Sequence, residues 1–241
     1  MNPNMNTRVN ARAFPLSDAL RLPPGVSKNV QGAPHRSPGA VLNKQGLPCS
    51  SGPPWVKKLA QNYRLRLATW NIGTLTSKAM ELVDTMIRRK VNVVCLQETK
   101  WVGEKAKEVE KTGYKIFYTG KDRHRNGVRI VVDKNLKDKV VTVTRKGDRI
   151  LLIKLVVGVD IINVISAYAP QVGLDDHTKR QFWDELDALM QEIPGGEKII
   201  VGGDFNGHVG KDRTGYERVH GGYGFGDQNE AGVSILDFAV A

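Results

Sequence analysis

Four short apolar runs in this chain each end in polar side chains, a pattern that narrows the folds available to it. The clearest run, Ile199 to Gly207, reads as a buried strand followed by Asp204 and Asn206. The earlier runs end at Trp70-Asn71, at Gln97-Glu98 and at Tyr168-Ala169-Pro170. Proteins of the α/β class collect functional side chains at the carboxyl ends of strands. The repetition therefore predicts an α/β fold in which four segments build one site.

Apolar periodicity from Leu65 onward alternates between strands and helices, as in an α/β domain. Helical spacing predicts one helix around Ala79 to Ile87 and a second between His177 and Ile193, and a third begins near Ser234. Five strand-like runs separated by short turns occupy the middle and predict antiparallel pairing. The predicted strands are Leu65–Thr69, Val91–Leu96, Tyr114–Thr119, Val128–Val132, Val140–Thr144, Ile150–Val157, Val159–Ser166 and Ile199–Val201.

The first 62 residues differ from the rest in composition. They hold nine of the eleven prolines and most of the net charge of +11, without a sustained apolar period. Such a segment cannot bury enough apolar surface to offset the entropy of ordering it. We therefore expect a disordered, basic, Pro-rich tail at residues 1–62 and a folded domain at residues 63–241.

Composition also narrows the partners and the compartment. A basic chain suits nucleic acid, because Lys and Arg release counterions from a phosphate backbone, although most of the excess charge lies in the tail. The two cysteines do not make a disulfide framework, which favours a reducing, nuclear or cytoplasmic location. No apolar run has membrane-spanning length, and the start lacks the apolar stretch of a secretion signal. We expect no membrane association.

The polar side chains at the strand ends suit a site for a divalent metal. Glu98 offers a hard oxygen ligand, which Mg²⁺ and Mn²⁺ prefer to sulfur or imidazole. Asp204 and Asn206 occupy alternate positions, so in an extended strand end both side chains face the same way. A carboxylate there can orient or deprotonate water, and an amide can hold an oxygen without adding charge. Asn71 can act likewise, and the Tyr168 hydroxyl can donate to a developing oxyanion.

Each of these residues also has an ordinary structural explanation. An acid at a strand end is commonly a solvated turn residue or a helix cap. Asn71 before Gly73 can shape a turn, and Tyr168 before Pro170 can be a packing residue. Only the combination of all of them favours a functional site.

Five ordered motifs carry a resemblance to a known superfamily. They are Ala68-Thr69-Trp70-Asn71, Leu96-Gln97-Glu98-Thr99-Lys100, Asn126-Gly127-Val128, Ser166-Ala167-Tyr168-Ala169-Pro170 and Gly203-Asp204-Phe205-Asn206. In order and spacing, the chain from Leu65 to Ala241 resembles the endonuclease/exonuclease/phosphatase superfamily. Within it, the chain is similar to the apurinic-type endonuclease domain of LINE retrotransposons of the RTE and BovB kind and to their host-resident, craniofacial development protein 2-like relatives.

The resemblance implies a four-layered α/β sandwich of two mixed sheets that hydrolyses phosphodiesters with Mg²⁺ or Mn²⁺. Glu98 matches the metal ligand of the family, and Asn71 matches the residue that assists at the metal and the phosphate. Tyr168 matches the residue that contacts the phosphate, while Asp204 and Asn206 match those that position the water and the transition state. DNA is the implied partner, with no obligate protein partner, and a monomer is expected.

The chain also departs from the family pattern. A Thr-Trp region, a further aspartate and a closing Ser-Asp-His strand have no counterpart after Asn206, and no histidine present here replaces the missing one. We therefore expect a C-terminally truncated domain with an unpaired sheet edge and with weak or absent activity. The alternatives are a non-catalytic nucleic-acid-binding or regulatory remnant and a small-molecule phosphatase. Arg129 stands where the family has a small residue, and we expect it to strain the sheet or fill the cleft.

Overall fold

The computed structural model describes residues 64–75, 78–122 and 126–241, which hold nine strands and three α-helices. The tail expected to be disordered at residues 1–62 lies outside the described residues. No helix within the described ranges is long and apolar enough to cross a membrane.

Five of the strands form a mixed sheet, here called sheet 1. They are β1 (Leu67–Asn71), β2 (Val93–Gln97), β3 (Lys105–Glu108), β4 (Lys115–Thr119) and β5 (Val128–Val132), in the spatial order β1-β2-β5-β4-β3. β1 and β2 run parallel, whereas the other neighbours are antiparallel. β2 and β5 are buried at every position, as expected for continuous apolar strands covered on both faces.

The other four strands form a second mixed sheet, here called sheet 2. They are β6 (Val140–Lys146), β7 (Ile150–Val157), β8 (Asp160–Tyr168) and β9 (Lys198–Asp204), in the order β6-β7-β8-β9. β6, β7 and β8 are antiparallel neighbours, and β9 runs parallel to β8.

Two helices cover the outer faces of the sheets. Helix α1 (Ala79–Arg89) packs on sheet 1, and helix α2 (Asp176–Gln191) packs on sheet 2. Their buried positions repeat at helical spacing and are Leu82, Val83 and Met86 in α1 and Phe182, Leu186 and Leu189 in α2. A third apolar core lies between the two sheets. This four-layered α/β sandwich with two mixed sheets confirms the predicted fold class.

Each of these helices connects two parallel neighbours of one sheet. Helix α1 joins β1 to β2, and α2 joins β8 to β9. Parallel strands joined by such a crossover have their carboxyl ends at the same edge of the sheet. Asn71 accordingly lies opposite Gln97, and Tyr168 lies opposite Asp204. The topology thus brings Asn71 beside the residue that precedes Glu98, and Tyr168 beside Asp204.

Several elements differ from the sequence prediction. Antiparallel pairing holds only within each sheet, because β5 and β6 follow one another in the chain but belong to different sheets. β3 was missed by periodicity, since its sequence Lys-Ala-Lys-Glu is exposed throughout. Helix α3 (Glu230–Val240) begins before the predicted Ser234, because the side chain of Asn229 accepts a hydrogen bond from Gly232 N at 2.8 Å and caps it. Strands β1 and β9 extend beyond their predicted ends at Thr69 and Val201, to Asn71 and Asp204.

The two sheets end on one side of the sandwich in β1 and β9, which pack against each other. Neither strand pairs on its outer side with another strand of the described residues. Trp70 of β1 and Ile199 of β9 are partly exposed there, at 40% and 37%. An unpaired sheet edge, as expected from the sequence, is therefore present in the described part of the chain.

Candidate active site

Side chains from all four predicted segments meet in one hydrogen-bonded cluster. Asn71 Nδ2 donates to Glu98 Oε1 and to Asp204 Oδ2, in each case at 2.8 Å. The hydroxyl of Tyr168 donates to the same Glu98 oxygen at 2.9 Å. Asn71 ends β1 and Glu98 follows β2 in sheet 1, whereas Tyr168 and Asp204 end strands of sheet 2. The cluster, here called the site cluster, therefore bridges the two sheets.

Glu98 is turned toward this cluster by an unusual backbone conformation. It directly follows β2 and has a φ of 55°, in the left-handed region that non-glycine residues seldom adopt. Lys100, Asn126 and Asn206, in the loops next to the site, share this conformation with φ values of 54°, 54° and 49°. Such residues cost free energy and persist where the surrounding structure fixes them, as at functional sites.

Tyr168 is held as a neutral hydrogen-bond donor. The residue is only 3% exposed, and burial raises the pKa of its phenol to about 12, with a further increase from the hydrogen bond to Glu98 and from the charge of Glu98. The hydroxyl therefore keeps its proton at neutral pH. The same oxygen accepts a hydrogen bond from Gln171 Nε2 at 3.5 Å.

The prediction that the chain stays extended from Asp204 to Asn206 is wrong. The chain turns after Asp204, because Asp204 Oδ1 accepts a hydrogen bond from Asn206 N at 3.1 Å. An aspartate that binds the backbone two residues on makes a tight turn instead of an extended strand end. The Asn206 side chain donates to the carbonyl oxygen of Ala169 at 2.7 Å. Ala169 directly follows Tyr168, so Asn206 still lies beside the site cluster.

Two glycines before Asp204 allow the close approach that the site requires. A Cβ atom on Gly203 would collide with the carbonyl oxygen of Ala167 in β8. One on Gly202 would lie 3.2 Å from Cys95 Sγ of β2, on the opposite sheet. Glycine at position 203 is therefore required for the close approach of β9 to β8, and Gly202 keeps the contact with β2 free of a tight Cβ.

A polar network, buried except at Thr69, lies directly behind the cluster and joins three strands. Thr69 Oγ1 donates to Gln97 Oε1 at 3.3 Å, and Gln97 Nε2 donates to Ser166 Oγ, also at 3.3 Å. Ser166 in turn donates to the carbonyl oxygen of Leu96 at 3.3 Å. Gln97 and Ser166 are fully buried. The network ties β1 and β2 to β8, one or two residues before Asn71, Glu98 and Tyr168.

Arg149 is a cation at this site that the sequence prediction missed. Its Nη1 donates to the carbonyl oxygen of Tyr168 at 3.2 Å, and its guanidinium lies 5.3 Å from the centre of the Tyr168 ring. Burial lowers the pKa of Arg149, and the negative charge of Asp148 acts in the opposite direction. The sequence feature that could have indicated this role is the position of Arg149 just before β7, which pairs with β8.

The two carboxylates of the cluster suit a divalent cation. Within the described residues, neither Glu98 nor Asp204 forms an ion pair with a Lys, Arg or His, and Asn71 supplies hydrogen bonds but no charge. Carboxylate and amide oxygens are ligands that Mg²⁺ and Mn²⁺ prefer. No group of three or more His, Cys, Asp or Glu side chains gathers at one point in the described ranges. The donor set therefore fits a cation held by few protein ligands, as is typical for Mg²⁺.

Arg129 neither interrupts the sheet nor joins the site cluster. It pairs in regular register with Leu96 of β2 and Tyr118 of β4, so the expected strain in the strand pairing is absent at this position. Its side chain is fully buried, and its guanidinium lies 3.5 Å from the centre of the Trp101 ring.

Comparison with known proteins supports the assignment of the fold. A family model described as the Endonuclease/Exonuclease/phosphatase family matches residues 68–232. Craniofacial development protein 2 of Bos taurus is 26% identical over 174 residues, which are 71% of this chain and 29% of that protein. The protein of the same name from Tragulus javanicus is 26% identical over 174 residues, 71% of this chain and 30% of the relative. The chain thus spans less than a third of the length of these curated relatives.

Among solved structures, an AP endonuclease from Archaeoglobus fulgidus superposes with a TM-score of 0.50 at 20% identity, over 73% of this chain and 70% of that one. At this identity the likeness concerns the fold. The family model covers more than half of the chain, and its match includes the segments that build the site cluster. The chain belongs to the Endonuclease/Exonuclease/phosphatase family.

Proposed function

We propose that this chain is a phosphodiester hydrolase that acts on DNA with Mg²⁺ or Mn²⁺, in the manner of a retrotransposon-derived endonuclease. One observation carries the proposal: a single neutral amide, Asn71, bridges two carboxylates that no cation of the described residues neutralises. Two ionised carboxylates near one another repel, and a cation between or beside them offsets that repulsion. A divalent metal meets this need and is itself an effective activator of a phosphate ester.

Glu98 and Asn71 are the proposed metal-holding residues. When bound, the metal would neutralise charge on the phosphate and lower the pKa of a water molecule. We assign to Asp204 the role of accepting a proton from the attacking water, and to Asn206 that of holding an oxygen beside it. Tyr168, a neutral donor with its pKa raised to about 12, would donate to a phosphate oxygen. Arg149 beside its ring would add positive charge.

The proposed substrate is DNA, since the chain is basic overall and its motifs resemble those of DNA-cleaving domains. We place the protein inside the cell, in the nucleus or cytoplasm, where free cysteines such as Cys95 stay reduced. We further propose that it acts as a monomer without an obligate protein partner, with a folded domain that starts near residue 63.

A second candidate function is DNA binding without turnover. The described residues supply two carboxylates to the cluster but no histidine, and the family pattern calls for both a further aspartate and a histidine. Electrostatic stabilisation of the transition state is commonly the largest catalytic contribution, and losing one such group costs about 10²-fold or more in rate. A chain with the cluster as described would then bind DNA and a metal yet turn over slowly or not at all.

Cleavage of supercoiled plasmid with Mg²⁺ distinguishes these functions. The full chain is compared with Glu98→Gln and Asp204→Asn, and with Asp187→Asn on the exposed surface of α2 as the matched control. Nicking that the control keeps and both site variants lose supports the hydrolase. DNA binding without nicking by the wild type supports the second candidate. Nicking that survives both site substitutions contradicts the proposed site.

A further inference from the structure

Arg129 is an anomaly within the sandwich. The residue is completely buried, and Nε, Nη1 and Nη2 of its guanidinium have no hydrogen-bond acceptor among the described residues. Buried polar groups are satisfied in the great majority of cases, so an unsatisfied guanidinium calls for an explanation. Burial lowers the pKa of Arg129 to about 9, which leaves the group charged at neutral pH.

The partners of Arg129 are aromatic rings. Its guanidinium lies 3.5 Å from the centre of the Trp101 ring and 5.4 Å from that of Tyr118. The two rings meet edge to face, with their centres 5.8 Å apart. A cation over an aromatic face is attracted by the ring electrons, most strongly for tryptophan. Because Arg129 lies in β5, this attraction holds the Trp101 side chain against sheet 1.

Trp101 belongs to the segment that carries Glu98. This segment, residues 98–103, crosses over the end of sheet 1 and contains two residues in the left-handed conformation, Glu98 and Lys100. Backbone hydrogen bonds tie it down from Thr99 N to Gly127 O at 3.1 Å, from Lys100 N to Asn126 O at 3.2 Å and from Gly103 N to Gly120 O at 2.9 Å. Trp101 stacked on Arg129 adds a side-chain anchor between these points.

Burial of the Arg129 guanidinium lowers the stability of the fold, although its contact with Trp101 fixes residues 98–103. Removing a charge from water costs far more than a neutral ring returns, and an unpaired buried charge is strongly destabilising. A methionine of similar length would fill the same space without that cost. If Arg129 were only a packing residue, its replacement would thus improve stability and leave the site unchanged.

We propose that Arg129 is a positioning residue, whose guanidinium holds Trp101 and thereby keeps residues 98–103 in the conformation that presents the Glu98 carboxylate to a divalent cation. This inference rests on the proposed role of Glu98 as a metal ligand. It assigns to Arg129 an effect on the metal site that acts through Trp101, without contact between Arg129 and the metal.

The test is to replace Arg129 in the full chain and to follow stability and metal binding together. Arg129→Met keeps length and removes charge, Arg129→Lys keeps charge without the planar group, and Arg180→Met on the exposed surface of α2 is the matched control. Arg129→Met should raise the urea midpoint of unfolding and weaken Mn²⁺ binding by about 10-fold or more, as for other residues that orient a metal ligand. Arg129→Lys should recover only part of the Mn²⁺ affinity.

A third variant tests whether the effect passes through Trp101. Trp101→Leu should weaken Mn²⁺ binding to a similar degree, and the Arg129→Met, Trp101→Leu double variant should be no weaker than either single one. Additive losses would show that the two residues act independently and would overturn the proposal. Mn²⁺ binding by Arg129→Met equal to that of the wild type would overturn it as well.

Hydrogen exchange separates a failure of this inference from a failure of the proposed function. If the wild type and Glu98→Gln bind Mn²⁺ equally, the proposed metal site is wrong. Amide exchange in residues 98–103 still reports on Arg129 in that case: faster exchange in Arg129→Met supports its hold on the segment, and unchanged exchange contradicts it.

Discussion

Asn71 Nδ2 lies 2.8 Å from Asp204 Oδ2, although 133 residues separate the two positions in the chain. Asn71 ends β1 of sheet 1, and Asp204 ends β9 of sheet 2. The contact can form only when the two sheets pack face to face in the correct register. The site cluster is therefore a product of the tertiary fold, and changes that loosen the packing between the sheets should weaken it.

Replacement of Asn71 by Ala should destabilise the metal-free protein. It removes the amide that bridges Glu98 and Asp204, so two carboxylates remain close together without a shared donor. A loss of about 1–3 kcal/mol in the free energy of unfolding is expected for hydrogen bonds to charged groups, toward the lower end because the residues are partly exposed. Urea unfolding in EDTA measures it, with exposed Asn135→Ala as the control. Equal stability of wild type and Asn71→Ala would argue against the bridge.

Tyr168→Phe should impair turnover with little effect on folding. The substitution keeps the buried ring and removes only the hydroxyl that donates to Glu98 at 2.9 Å. Loss of one donor to a transition-state oxygen lowers the rate by about 10²-fold or more. Single-turnover cleavage of a labelled DNA, compared with the exposed Tyr223→Phe, gives the rate. A cleavage rate within roughly threefold of the wild-type rate would exclude Tyr168 from catalysis.

Gln97→Met should disturb the site cluster through the polar network of Thr69, Gln97 and Ser166. Methionine fills the volume of the buried glutamine but leaves Thr69 and Ser166 without their shared partner. Thr69 is exposed and can bond to water instead, whereas the fully buried Ser166 Oγ loses its donor, and such a loss costs about 1–3 kcal/mol. We expect a lower urea midpoint together with weaker Mn²⁺ binding, because the network sets the spacing of β2 and β8. Restoration of stability by a Gln97→Met, Ser166→Ala pair, measured by the same unfolding curve, would confirm the coupling; strictly additive losses would refute it.

Only part of the fold and of the site cluster could be predicted from the sequence. Apolar runs ending in Asn71, Glu98, Tyr168 and Asp204 are visible in the sequence, and the crossovers that bring such ends together follow from general rules of α/β topology. The two packed sheets were implied by the resemblance to the family, and the apolar run Val91–Leu96 indicated only a strand covered on both faces.

Other features depend on competition between local and distant interactions. The turn after Asp204 forms because its carboxylate captures Asn206 N, which no period of apolar residues reveals. β3 has no apolar face and exists only because β4 offers it a partner. The position of Arg149 beside Tyr168 depends on the pairing of β7 with β8, and the stacking of Arg129 on Trp101 depends on how residues 98–103 cross the sheet.

A pH dependence of stability should arise at Glu197. A hydrogen bond from Asn163 lowers the pKa of this carboxyl, and Lys154 contributes to the decrease through a hydrogen bond and its charge. A carboxyl with a lowered pKa stabilises the fold above its unfolded value, and the effect disappears as pH falls through the folded value. Glu197→Gln should therefore be less stable than the wild type at pH 7, and the two should converge below about pH 4. Parallel unfolding curves across this range would contradict the assignment.

Binding of Mn²⁺ to the full chain, measured by calorimetry for the wild type and for Glu98→Gln, tests the site most directly. The amide in Glu98→Gln keeps the size of the side chain and removes the charge that a divalent cation requires. The account predicts saturable binding by the wild type and an affinity at least about 10-fold lower in the variant, within the range known for changes at metal sites. Equal affinities, or no binding by the wild type, would contradict it.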